Sequence, residues 1–173
     1  MEPSDAFLSL QPFCVDVCKE RNAEVLNALT EAIDRITDDE TLQRLQDYVL
    51  YPLKLIFKLR ERRNFENADD GNNPKDKAVE AGIRCLRAVL KRTVIDSVAT
   101  AVDLLTSLLA ILGHPKNGGR VDAAVGEDLK EAVVNAAESL VNSCDDGVRK
   151  QLCAVRLAKE ESDDGGQLTL LSS

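Results

Sequence analysis

Apolar residues recur every three or four positions along most of the chain, and that spacing predicts a succession of amphipathic α-helices. The first, about Ser4 to Lys19, carries Phe7, Leu8, Leu10, Val15 and Val17. It contains Pro12, which deletes a backbone donor, so a kink or split is expected near Leu8. The second, about Ala23 to Ile36, repeats Val25, Leu26, Leu29, Ile33 and Ile36. Thr37-Asp38-Asp39-Glu40 then reads as a capping box, the Thr37 hydroxyl accepting from a first-turn N–H while Glu40 reaches back. It opens a third helix, Asp38 to about Arg63, with Leu42, Leu45, Val49, Leu53 and Ile56 on one face. That face stays in phase across Pro52. One bent helix is therefore expected, with a break or a bend above about 20° within one turn of Pro52, orienting Tyr48 and Tyr51.

The polar stretch from Asn64 to Asp76, with Asp70-Gly71-Asn72-Asn73-Pro74, predicts a loop. A fourth helix is expected over about Lys75 to Lys91 and a fifth over about Val94 to Leu112, the latter apolar on several sides, Val102 included. Gly113 to Gly119 forms a second loop. A sixth helix covers about Glu127 to Ser143, and a shorter seventh covers Asp146 to Ala158. The fold class is all-α: a HEAT/armadillo-like α-solenoid segment of about six or seven antiparallel helices. Residues 4–143 form the repeat domain, 144–158 add a helix, and 159–173 are a flexible tail.

Composition sharpens this picture. Aromatics are only 3% with no Trp, so the core is aliphatic, and nine glycines and five prolines are too few for an all-β sandwich. The net charge of −8 makes nucleic acid and anionic membranes poor partners. No apolar run approaches the roughly 18 residues of a membrane-spanning helix, and the amino-terminal residues lack the pattern of a secretory signal. Five cysteines in apolar stripes suggest reduced thiols in a cytoplasmic or nuclear setting.

Candidate chemistry is sparse. His114, the single histidine, has no partner acid or nucleophile nearby and reads as an exposed loop residue. Cys14 and Cys18 share a helix face at i, i+4, half of a zinc site, but Cys85, Cys144 and Cys153 are too scattered to complete it. The Lys54–Arg63 cations suit a helix end. No catalytic residue, metal or cofactor is expected.

Four stretches resemble one known family. Ala6-Phe7, Leu10, Pro12 and Cys14-Val15 are similar to the opening pattern of the TELO-two-interacting protein one family. Leu42-Gln43-Arg44-Leu45-Gln46-Asp47-Tyr48-Val49-Leu50-Tyr51-Pro52-Leu53 resembles its most recognisable motif, a helix ending in Tyr-(Ile/Val)-Leu-aromatic-Pro-Leu. Cys85-Leu86 with Val89-Leu90, and Glu127 to Val133, resemble its later helices, so the likeness covers about residues 6 to 143. The resemblance marks Leu42, Leu45, Tyr48, Leu50, Tyr51, Pro52 and Leu53 as structural positions of the family motif. It implies the amino-terminal end of a much longer HEAT-repeat scaffold in the TTT co-chaperone complex. Implied partners are the other TTT subunits, heat-shock chaperone adaptors and client kinases related to phosphatidylinositol kinases, in TOR and DNA-damage signalling.

Two readings of the architecture stay open. In a solenoid segment, apolar surface around Leu140, Val141, Leu152 and Val155 is left uncovered; in a stand-alone regulatory bundle, the seventh helix closes the core.

Overall fold

A computed structural model describes residues 2–58, 74–112 and 126–162. Among them are eight α-helices: α1 (Pro3–Glu20), α2 (Ala23–Asp34), α3 (Asp39–Arg44), α4 (Gln46–Phe57), α5 (Pro74–Leu90), α6 (Val98–Leu112), α7 (Glu127–Ser143) and α8 (Asp146–Ser162). The loop region around His114 and residues 163–173 of the expected tail lie outside the described residues.

The packing pairs sort the helices into two layers. In the first layer α1 touches α4, α4 touches α6, and α6 touches α8. In the second α2 touches α5, and α5 touches α7. Within each repeat α1 packs on α2, α4 on α5, and α6 on α7. A stack in which units meet mainly their chain neighbours is the signature of a solenoid. Helix α8 continues the first layer as the opening helix of a fourth repeat, with no second-layer helix after it among the described residues. First-layer helices begin at residues 3, 46, 98 and 146, so the repeats are 43, 52 and 48 residues long. These spacings lie nearer the ~40–47 of HEAT-type repeats than the ~34 of tetratricopeptide repeats.

The core follows the apolar stripes. Leu10 and Val17 of α1, Leu26, Leu29 and Ile33 of α2, and Leu86 and Val89 of α5 are wholly buried. Fully burying each such side chain contributes about 1.5–3 kcal/mol. Helices α4 and α5 approach closely at Gly82. A Cβ there would sit 3.1 Å from the Ile56 Cγ2 and 3.3 Å from the Phe57 Cε1, so these side chains would have to give by a few tenths of an ångström to admit one. Between α1 and α2, Arg21 turns the chain in a left-handed conformation (φ 49°), and Asn22 caps α2 by accepting from the Val25 N–H at 3.0 Å.

Helix α1 runs as one element across Pro12, so the split expected near Leu8 is not there. Pro12 sits on the outer face, and Leu8, whose carbonyl loses its helical donor, is 62% exposed, so this turn lies on the solvent side. The helix expected from Asp38 onward is two helices, but the break is at Leu45 (φ −94°, ψ 3°), not within a turn of Pro52. There the Leu45 N–H is shared by the Thr41 and Leu42 carbonyls in a tightened turn. Helix α4 continues through Pro52, whose ring is buried as an ordinary apolar group. The cap is Asp38 rather than Thr37: its carboxylate accepts from the Thr41 N–H and hydroxyl, which hold its pKa below the usual carboxylate range. Glu40 pairs with Arg44 at 2.6 Å instead of reaching back to the cap.

Helix α6 begins at Val98 because Thr93 to Ser97 form a connector, and Val102 faces solvent at 38% exposure. Helix α8 extends four residues past the expected end at Ala158. Leu140 and Leu152 are covered and Val141 is half-buried, so the expected uncovered face is not found at these three residues; the Val155 side chain lies outside the described residues.

Candidate protein-interaction surface

The connections between repeats are tied to one another, and this seam sets the shape of one molecular edge. Arg92, just after α5, reaches the end of α2: its Nη1 donates to the Ile33 carbonyl at 3.2 Å and its Nη2 to the Ile36 carbonyl. Its Nε donates to the Asp39 carboxylate at 2.7 Å. A helix C-terminus leaves carbonyls without donors and carries partial negative charge, so one planar cation satisfies both needs. Arg92→Lys is expected to lose nearly as much stability as Arg92→Ala, about 1–3 kcal/mol, because an ammonium cannot span three acceptors in one plane. Urea denaturation of the two variants checks this.

Two glutamines hold the next connector. The Gln43 Oε1 accepts from the Val94 N–H at 2.6 Å while its Nε2 donates to the Val94 carbonyl at 2.9 Å. Gln46 is buried, and its Nε2 donates to the Thr93 hydroxyl at 2.8 Å and to the Val94 carbonyl at 3.2 Å. On the other side of the same connector, the Ile95 N–H donates to the Ser143 carbonyl at 2.8 Å and the Asp145 N–H donates to the Ile95 carbonyl at 3.0 Å. Thus the α2–α3, α5–α6 and α7–α8 connections are linked in series. Gln43 and Gln46 were missed in the sequence reading; the available signal was a pair of amides set among the apolar positions of Leu42, Leu45 and Val49.

The motif positions themselves are mostly core. Leu42, Leu50, Pro52 and Leu53 are buried, and Leu45 and Tyr48 are half-buried. Tyr48 joins α4 to α1 through a tilted ring contact with Phe7, centroids 4.8 Å apart. Burial pushes the Tyr48 phenol above its ordinary pKa. Tyr51 points outward at 62% exposure.

Beside the seam lies an open cleft of about 850 Å³ between α5 and the α7–α8 junction. Arg84, Arg87 and Lys91 form its α5 wall, and Asp145, Asp146 and Arg149 the opposite wall. Asp145 Oδ1 accepts from the Val148 N–H at 2.7 Å, capping α8. Arg149 Nη2 donates to the Cys144 carbonyl at 3.0 Å, closing α7 as Arg92 closes α2.

The other candidate groups are not assembled into chemistry. Among the described residues no group of three or more His, Cys, Asp or Glu side chains could hold a metal ion. Cys14 is buried and Cys18 half-buried, while Cys85 and Cys144 are buried and Cys153 is exposed. Lys54 spans α4 and α6 in a 2.7 Å ion pair with Asp103; Arg60, Arg62 and Arg63 lie outside the described residues.

Burial pushes the Cys14 and Cys85 thiols up to about 12 from an ordinary 9.0. Below about pH 8 both thiols are protonated whether the chain is folded or not. Above it the unfolded chain releases these protons and the folded chain does not, so stability falls as pH rises from about 9 toward 12. The urea midpoint should drop between about pH 8 and about pH 10.5, and less so in Cys14→Ala/Cys85→Ala.

The model of the TTI1 N-terminal TPR domain matches residues 7–159. The chain belongs to this family. The match continues through most of α8, beyond Ser143, where the resemblance legible in the sequence stopped. TELO2-interacting protein 1 homolog of Homo sapiens is 28% identical over 141 residues, and its Mus musculus counterpart is 29% identical over the same length. These alignments cover 82% of this chain but 12% of each relative, so the chain spans about an eighth of the curated relatives it matches. No solved structure matches. The family is described by tetratricopeptide-type repeats, which are all-helical like the two layers here. No helix among the described residues is long and apolar enough to cross a membrane.

Proposed function

We propose that this chain is a non-catalytic protein-interaction scaffold, the counterpart of the amino-terminal end of the TTT-complex subunit its relatives represent. The observation that carries this reading is the family match across residues 7–159. The helical stack supports it, since such a stack offers extended surface held by short-range packing. In this reading the repeat domain runs over residues 4–143, and the helix Asp146–Ser162 begins the next repeat. Leu42, Leu45, Tyr48, Leu50, Tyr51, Pro52 and Leu53 fix the α1–α4 packing rather than contact a partner, Tyr51 excepted.

The relatives are named as interacting with TELO2. By extension the partners of this chain are TELO2 and other TTT subunits, chaperone adaptors, and kinases of the TOR and DNA-damage type whose maturation that complex supports, in the cytoplasm or nucleus. Affinity purification of the tagged chain from cells, beside a tagged full-length relative, tests the proposal. Recovery of TTT subunits with both is the expected result. Their recovery with the full-length relative alone would overturn it.

A further inference from the structure

The cleft beside the seam concentrates positive charge in a chain whose net charge is −8. Arg84 and Arg87 on α5 and Lys91 just past its end stand at i, i+3 and i+7; the Lys91 N–H still donates to the Arg87 carbonyl, so the three form one stripe about 10 Å long. Arg87 and Lys91 are exposed, and neither side chain has a hydrogen-bond or ion-pair partner among the described residues. Arg84 makes a single 3.4 Å contact with the Asn27 side-chain oxygen. The carboxylates opposite are already engaged: Asp145 caps α8, and Asp146 lies 4.0 Å from Arg149. The excess of uncommitted charge on the cleft wall is thus cationic.

Apolar surface accompanies it. Val94 is 49% exposed at the cleft, yet its N–H and carbonyl are both fixed by Gln43, so its side chain is presented from an immobilised backbone. No aromatic ring lines the cleft, which leaves nothing on which an unpaired base could stack.

We propose that this cleft binds an extended acidic peptide segment of a partner protein, with carboxylates at alternate positions on Arg87 and Lys91 and an apolar residue against Val94. Alternate residues of an extended strand face the same way about 6.6 Å apart, and Arg87 and Lys91 are offset by about 6 Å along α5. The stripe therefore selects an acid–x–acid spacing. A long polyanion is disfavoured, because outside the cleft it meets the negative field of the rest of the chain.

The experiment is fluorescence anisotropy of the full 173-residue chain with a labelled peptide of alternating glutamate and serine around one central valine. Binding is expected to weaken at least about tenfold in Arg87→Glu/Lys91→Glu and to weaken as ionic strength rises from about 10 mM to about 150 mM. Lys19→Glu, on the far α1 helix, should bind as the parent does. Peptide addition should slow hydrogen exchange over residues 84–94 and 142–149, a readout independent of any variant's folding. Failure to bind, equal binding by the double variant with its circular dichroism unchanged, protection elsewhere, or tighter binding of single-stranded oligothymidine would each overturn the proposal. The titration reads the chain's own charge pattern, so it succeeds or fails independently of recovery of TTT subunits from cells.

Discussion

Phe57→Ala is expected to destabilise the fold by about 3–5 kcal/mol, among the largest single losses open to this chain. Phe57 is fully buried at the end of α4, and its ring edge lies 3.3 Å from where a Cβ on Gly82 would stand. Among the described residues the ring contact is Phe7 with Tyr48, so no second ring stacks on Phe57. The α4–α5 pair sits in the middle of the stack, where relaxation is opposed from both sides. Urea denaturation followed by circular dichroism should show a lowered midpoint with an unchanged slope. A loss below about 1 kcal/mol would mean that α4 and α5 do not cross as described.

Gly82→Leu acts on the same crossing from the other helix. A glycine within a helix costs up to about 1 kcal/mol relative to alanine, so its presence needs a local reason. The reason is the Ile56 Cγ2 at 3.1 Å from the position a Cβ would take. An isobutyl group there must displace Ile56 and Phe57 together, and a destabilisation of about 3 kcal/mol or more is expected, at the upper end for overpacking. Combining Gly82→Leu with Phe57→Ala places the added volume beside the deleted one. The double variant should be more stable than the sum of the two losses predicts, by about 1 kcal/mol or more. Additive losses would show that the two sites do not share space.

These contacts also show which features were legible in the amino-acid sequence. The 3.6-residue period of the apolar positions located every helix from α1 to α8 except the α3–α4 division, and placed the bounds of α7 correctly, because that period reports which face is buried. It could not report Leu45, since a single tightened turn leaves the stripe in phase on both sides of the interruption. The two prolines pointed to breaks that the helices do not make: Pro12 lies on the outer face, and Pro52 is buried as apolar surface. Val94 looked like the start of a helix because it is apolar, but its backbone is bound by Gln43 from a residue 51 positions earlier in the chain. Such long-range polar contacts have no local periodicity. The same is true of Arg92, whose acceptors are helix-end carbonyls identical in every sequence. The cleft was hidden for a related reason: Arg84, Arg87 and Lys91 look like the solvated face of one helix until α8 is set opposite them.

The helices form a stack of repeats that transmits stability between neighbours, rather than a closed bundle with one core. Hydrogen exchange followed by mass spectrometry on Leu152→Ala addresses it most directly, because Leu152 is buried on α8 at the end of the stack. In a neighbour-coupled stack the substitution should accelerate exchange in α8 and in α6 and α7 beneath it, while α1 and α2 keep their protection. Equal acceleration of every protected amide from α1 to α8 would contradict the stack and establish a single closed cooperative bundle.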